Sequence, residues 1–188
     1  MPFDYDAFFA SGVEYEVVAT NCLTGRAEYL SEHSGNGLRL NTLCRASSNL
    51  PYVSPIIDVD GVPMLDGGIV DSIPVQHSIE RGHALNVCVL TRNRGYRSAE
   101  PDIKVPRLFY KQYPRLRVAL SHRVEAYNQQ LDMIERMEDW GEVLVIRPQQ
   151  PLQVDRICRD VQKLEQLYEE GFNEGEKFCV EWGSGTAG

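Results

Sequence analysis

The stretch SPIIDVDGVPMLDGGIVDSIPV, residues 54–75, decides how the rest of the chain is read. Asp60-Gly61 sits between two apolar arms, Ile56 to Val59 and Val62 to Leu65, which is the pattern of a β-hairpin. The second arm runs into Asp66-Gly67-Gly68, where a strand should stop and the chain should turn. Pro74 then suits the first turn of a short helix, with Val75 and Ile79 on its apolar face and Gly82 near its end. This places a carboxylate, Asp66, at a corner between strand and helix. It is either a turn residue or half of a catalytic pair.

Working outward, VEYEVVAT (residues 13–20) is rich in β-formers and predicts a strand. Thr24-Gly25 supplies a turn and Ala27 to Leu30 a returning strand. Leu40, Leu43, Cys44 and Ser47 recur at helical spacing, and Pro51 should end that helix near Leu50. ALNVCVLT (84–91) is an almost unbroken apolar run, the pattern of a strand covered on both faces, as in a parallel sheet. Residues 121–139 carry Val124, Tyr127, Leu131 and Ile134 on one stripe, with Gly141 just beyond, and predict a helix. EVLVIRP predicts another short strand. Residues 154–170, with Ile157, Val161, Leu164 and Leu167/Tyr168 on one face, predict a last helix, and GSGTAG at the end is expected to fray. Strands alternating with helices indicate an α/β class, with some antiparallel pairing near the hairpin.

The chain has 188 residues, 43% hydrophobic and 24% charged, which is enough for a substantial core. A net charge of −8 argues against a nucleic-acid surface, which needs clustered Lys and Arg. No apolar run approaches the ~20 residues of a membrane span, and no signal peptide is visible, so a cytoplasmic location is expected. The five cysteines are scattered without a C-x-x-C pair, so neither a zinc nor a redox site is expected.

RASSNLP (residues 45–51), Ser54-Pro55, DGG followed by DSIPV, and VVATNCLTG together resemble the patatin-like phospholipases. The resemblance runs from about residue 13 to residue 97. It implies the C-terminal part of a three-layer α/β/α domain with a mainly parallel sheet, followed by a helical tail. Residues 1–100 would be the part of that domain carrying DGG. Residues 101–188 would be a helical region with one further strand, packed on the same domain.

It also implies a lipid acyl hydrolase using a Ser–Asp dyad, with Asp66 as proton acceptor and no cofactor or metal. Gly67 and Gly68 would serve geometry, by a positive φ or a close approach. The serine of that family lies in a G-x-S-x-G elbow, and no serine here has glycine at both −2 and +2. The expectation is therefore a chain that carries the base without its nucleophile or oxyanion loop and has no measurable esterase activity alone. Its partners would be a lipid or acyl ester, transiently a membrane surface, and either a second copy or a complementing N-terminal polypeptide. The alternative expectation is a catalytically inactive binding or complementing module.

Arg92, Arg94 and Arg97 form a basic cluster that could contact a phospholipid head group, against the plainer reading of a solvated loop. Asp71 is expected to cap a helix. His33, His77, His83 and His122 are each available as a triad histidine, but the resembling family needs none. The terminal Gly183-Ser184-Gly185-Thr186-Ala187-Gly188 matches G-x-G-x-x-G literally. It has no strand before it and no helix to open, so a dinucleotide site is not expected.

Overall fold

The computed structural model describes residues 3–99, 105–106, 108–154 and 158–185. The chain divides into two interleaved units, Met1–Pro74 with Ser98–Gln130, and Val75–Arg97 with Leu131–Gly188.

The first unit opens with helix α1 (Tyr5–Ala10), capped by the Asp4 carboxylate on the Ala7 amide. Strands β1 (Glu16–Asn21) and β2 (Arg26–Ser31) follow as a hairpin with antiparallel register from Glu16↔Ser31 to Asn21↔Arg26. The Asn21 side-chain oxygen accepts from the amides of Leu23 and Thr24, and Gly25 takes a φ of +64° to close the turn. A connection this short permits only antiparallel pairing. Helix α2 (Gly37–Ser47) begins at an Asn36 cap and ends three residues before Leu50, where the Ser48 hydroxyl bonds back to the Cys44 carbonyl. Strands β3 (Ile57–Val59) and β4 (Val62–Asp66) form the hairpin read from the sequence, with Asp60 and Gly61 both at positive φ.

Among the described residues these strands make one antiparallel sheet in the order β2-β1-β4-β3. Alternating side chains leave it on opposite faces. Val17, Ala19, Val59 and Met64 pack with Leu43 and Ala46 of α2. On the other side Cys22, Leu65 and Ile69 pack with Leu116 and Leu120 of helix α4 (Pro114–Ser121). Helix α3 (Val75–Glu80) belongs to the second unit. Helix α5 (Arg123–Asp139) has its residues up to Gln130 in the first unit and the rest in the second.

The second unit contains strands β5 (Val87–Val89) and β6 (Leu144–Ile146), paired in parallel from Val87↔Leu144 to Val89↔Ile146. Cys88, Leu90, Leu131, Ile134 and Val143 are buried. Helix α6 (Val161–Gly185) carries a row of apolar side chains, and Val161, Leu164, Tyr168, Phe172, Val180 and Trp182 are exposed. Ile157, expected on that face, lies outside the described residues. No helix among the described residues is long and apolar enough to cross a membrane.

The expected mainly parallel, three-layer sheet is thus corrected to a four-stranded antiparallel sheet and a separate parallel pair. Both connections β1–β2 and β3–β4 are tight turns, and β1 and β4 also run antiparallel. The apolar run at 84–91 does not report a strand covered on both faces. β5 spans three residues, and Val89 is 72% exposed. Of the N-terminal phenylalanines, Phe3 is exposed, and Phe8 packs edge-on against Phe9 and Tyr15.

Candidate functional site

Asp66 ends β4, opposite Ala19 of β1 in register. Its backbone is held on both sides. The amide donates to the Asn49 carbonyl at 3.1 Å, and its carbonyl accepts the Thr20 hydroxyl at 2.7 Å. Thr20 and Asn49 are both buried, so these bonds are shielded from water. The half-buried carboxylate then caps the single 3₁₀ turn Gly67–Ile69, with Oδ1 accepting the Gly68 amide at 2.7 Å. Among the described residues Oδ2 accepts no hydrogen bond.

The two glycines serve spacing. Neither adopts a positive φ. A Cβ on Gly67 would stand 2.3 Å from the Val18 carbonyl oxygen, so only glycine lets the turn lie against β1. A Cβ on Gly68 would stand 3.0 Å from Asp66 Oδ1. The Gly68 carbonyl in turn accepts from the Ser72 hydroxyl and from Arg123 Nε, each at 3.0 Å.

Asp71 braces the far end of the loop. Its carboxylate accepts the Tyr29 hydroxyl at 2.6 Å and the Gln130 amide nitrogen at 2.5 Å, while Gln130 Oε1 accepts the Ser72 amide at 3.1 Å. The corner is thus gripped by β2 and α5. Thr20, Asn49, Ser72, Arg123 and Gln130 were given no role from the sequence, because their partners are remote in the chain. Thr20, Asn49 and Ser72 stood in stretches already singled out, VVATNCLTG, RASSNLP and DSIPV, without a role of their own.

The arrangement offers a carboxylate with one oxygen fixed and one open. Two hydroxyls lie near it, but the Ser72 hydrogen goes to the Gly68 carbonyl and the Thr20 hydrogen to the Asp66 carbonyl. No serine hydroxyl among the described residues donates to the Asp66 carboxylate. No group of three or more His, Cys, Asp or Glu side chains among the described residues is placed to hold a metal ion.

The basic cluster lies in the second unit, and two of its three guanidinium groups are already neutralised. Arg94 pairs with Glu138 and Asp139, and Arg97 with Asp132 and Glu135. Arg92 lies over the Tyr96 ring, 4.9 Å from its centroid. Glu135 also accepts the Gly95 amide, so the segment is fastened to α5. The hydrogen bond from Arg97 above all, with the Gly95 amide and the charges of Arg97 and Arg147, holds the Glu135 carboxyl down at about 2. These ion pairs leave Arg94 and Arg97 a structural role and weaken their assignment to a head group.

A family described as a domain of unknown function, DUF6363, matches residues 113–186. That is less than half of the chain, and it falls outside the stretch that carried the patatin-like resemblance. No patatin-like family matches, and the resemblance is corrected on that ground. Local geometry accounts for the motif without it: Asp66 caps a turn, Gly67 clears the β1 backbone, and Asp71 braces two elements. No curated protein matches the chain.

Proposed function

We propose that the first unit supplies Asp66 as the proton-accepting carboxylate for hydrolysis of an acyl ester, the hydroxyl nucleophile coming from a second polypeptide segment that docks at this corner. The observation that carries the reading is the division of labour within one carboxylate. Oδ1 is fixed by the Gly68 amide, and Oδ2 is left open on a half-buried side chain. A base held at one oxygen has little freedom to lose when it accepts a proton at the other. A second reading, a binding or complementing module without catalysis, is favoured by the engagement of both nearby hydroxyls with backbone carbonyls.

The test is hydrolysis of p-nitrophenyl butyrate by the full chain, alone and co-expressed with the polypeptide of the adjoining reading frame. Turnover that arises only in the pair, and drops ~10²-fold or more with Asp66→Asn, supports the catalytic reading. Turnover insensitive to Asp66→Asn overturns it. A stable complex without turnover leaves the module reading in its place.

A further inference from the structure

The β1–β2 turn, the end of the 3₁₀ turn, and the junction of α4 with α5 line an open groove of about 420 Å³ in the first unit. Its cationic walls are Arg26 and Arg115, with His122 beside them, and its floor includes Ile69, Val70 and Ala126. No carboxylate lines it. Arg26 and Arg115 form no ion pair among the described residues, unlike Arg94 and Arg97 in the second unit.

The backbone brings these two cations together. Gly25, at a φ of +64°, lies so close to α4 that a Cβ there would stand 2.6 Å from the Arg115 carbonyl oxygen. That contact sets Arg26, the next residue, beside the first turn of α4. Two guanidinium groups in one groove repel each other unless an anion lies between them. The carbonyls that end α4 add little opposing charge, because the His122 amide donates to both Val118 and Ala119, each at 3.2 Å. The first turn of α5, whose positive dipole end favours anions, contributes Ala126 to the groove's floor.

We propose that this groove is a phosphate-binding site, with Arg26 and Arg115 as its ligating side chains. Two separate guanidinium forks suit a tetrahedral oxyanion with three or more acceptor oxygens better than a carboxylate, which one fork satisfies. The volume falls within the range of small-ligand sites, ~300–1,000 Å³. The phosphate can be free in solution or carried on a lipid head group. The site does not depend on the chemistry proposed for Asp66.

The test uses the full chain and two probes: inorganic phosphate followed by calorimetry, and co-sedimentation with vesicles of phosphatidylcholine alone or mixed with phosphatidylglycerol. Saturable phosphate binding, weakened at least about tenfold by Arg26→Gln or Arg115→Gln and unchanged by Arg92→Gln, supports the site. Co-sedimentation with the mixed vesicles alone, competed by inorganic phosphate, identifies a head group as the source; phosphate binding without it identifies the free ion. Asp66→Asn is expected to bind phosphate as the wild type does. Both arginines are exposed, and a matching thermal transition confirms that the variants fold. Absence of saturable binding to both probes, or a double Arg26→Gln/Arg115→Gln variant within about twofold of the wild type, overturns the proposal.

Discussion

Gly67 lies so close to Val18 that a Cβ on the glycine would come within 2.3 Å of the valine carbonyl oxygen. The obstacle is strand backbone, which cannot rotate away as a side chain can. Gly67→Ala is therefore expected to cost ~3 kcal/mol or more, because either the 3₁₀ turn or the β1–β4 pairing must shift. Gly68→Ala meets side-chain atoms, the Asp66 carboxylate at 3.0 Å and the Ser72 hydroxyl at 3.5 Å, and is expected to cost ~1 kcal/mol. Urea unfolding of the two variants measures the difference, and equal losses would show that the turn does not lean on β1.

Asp66 separates structure from chemistry by two substitutions. Asparagine keeps an oxygen for the Gly68 amide, so Asp66→Asn is expected to change stability by no more than ~0.5 kcal/mol. Alanine removes the cap, and Asp66→Ala is expected to cost ~1 kcal/mol. The asparagine variant is therefore the one that reads function without reading folding. If both variants lose the same stability, the hydrogen bond at Oδ1 is not what holds the corner.

Acid should loosen the second unit in a defined window. The Glu135 carboxyl is lowered from 4.5 to about 2, first by its hydrogen bond from Arg97. A folded value below the unfolded one means that the bond contributes fully above about 4.5 and is lost as pH falls toward 2. Both tryptophans, Trp140 and Trp182, lie in the second unit, so their fluorescence follows it alone. Glu135→Gln is expected to lower stability at pH 7 and to flatten the dependence between pH 4.5 and 2. An unchanged acid profile in that variant would assign the loss to other carboxylates.

Local signals were legible in the sequence and long-range ones were not. Asp60-Gly61 announced its hairpin because a two-residue turn needs positive φ at both positions, and both have it. The stripe from Val124 to Ile134 announced α5 because helical periodicity is carried by the helix itself. Helix α4 escaped notice: eight residues give barely two turns of periodicity, and no side chain caps its start. The mainly parallel sheet was implied by the family resemblance and failed for β1 to β4, all of which pair antiparallel, whereas the apolar run at 84–91 does supply a parallel strand but one with little burial. The ion pairs of the arginine cluster were not legible, since the carboxylates that pair with Arg97 lie 35 and 38 residues further on. Helix α6 continues to Gly185 because its apolar row continues through Phe172, Phe178 and Trp182, and glycine inside a helix costs only ~1 kcal/mol relative to alanine. Asp66 was legible as a corner residue. What holds the corner in place was not, because Thr20 and Asn49 reach Asp66, and Arg123 reaches Gly68, from three other parts of the chain.

The brace at Asp71 gives the sharpest test of how the corner is held. One carboxylate oxygen accepts Tyr29 and the other accepts Gln130, so both lone-pair faces are used by donors. Tyr29→Phe removes one charge-assisted bond and is expected to cost ~1.5–3 kcal/mol. Asp71→Asn is expected to cost at least as much, since its amide group turns a donor toward one of the two remaining donors. With both changes together the loss should fall short of the sum by ~0.5–3 kcal/mol, because they act on one shared bond. Urea unfolding of the two single variants and the double variant supplies the cycle. Strict additivity would mean that Tyr29 and Asp71 stabilise the unit separately and that β2 does not hold the loop after Gly68.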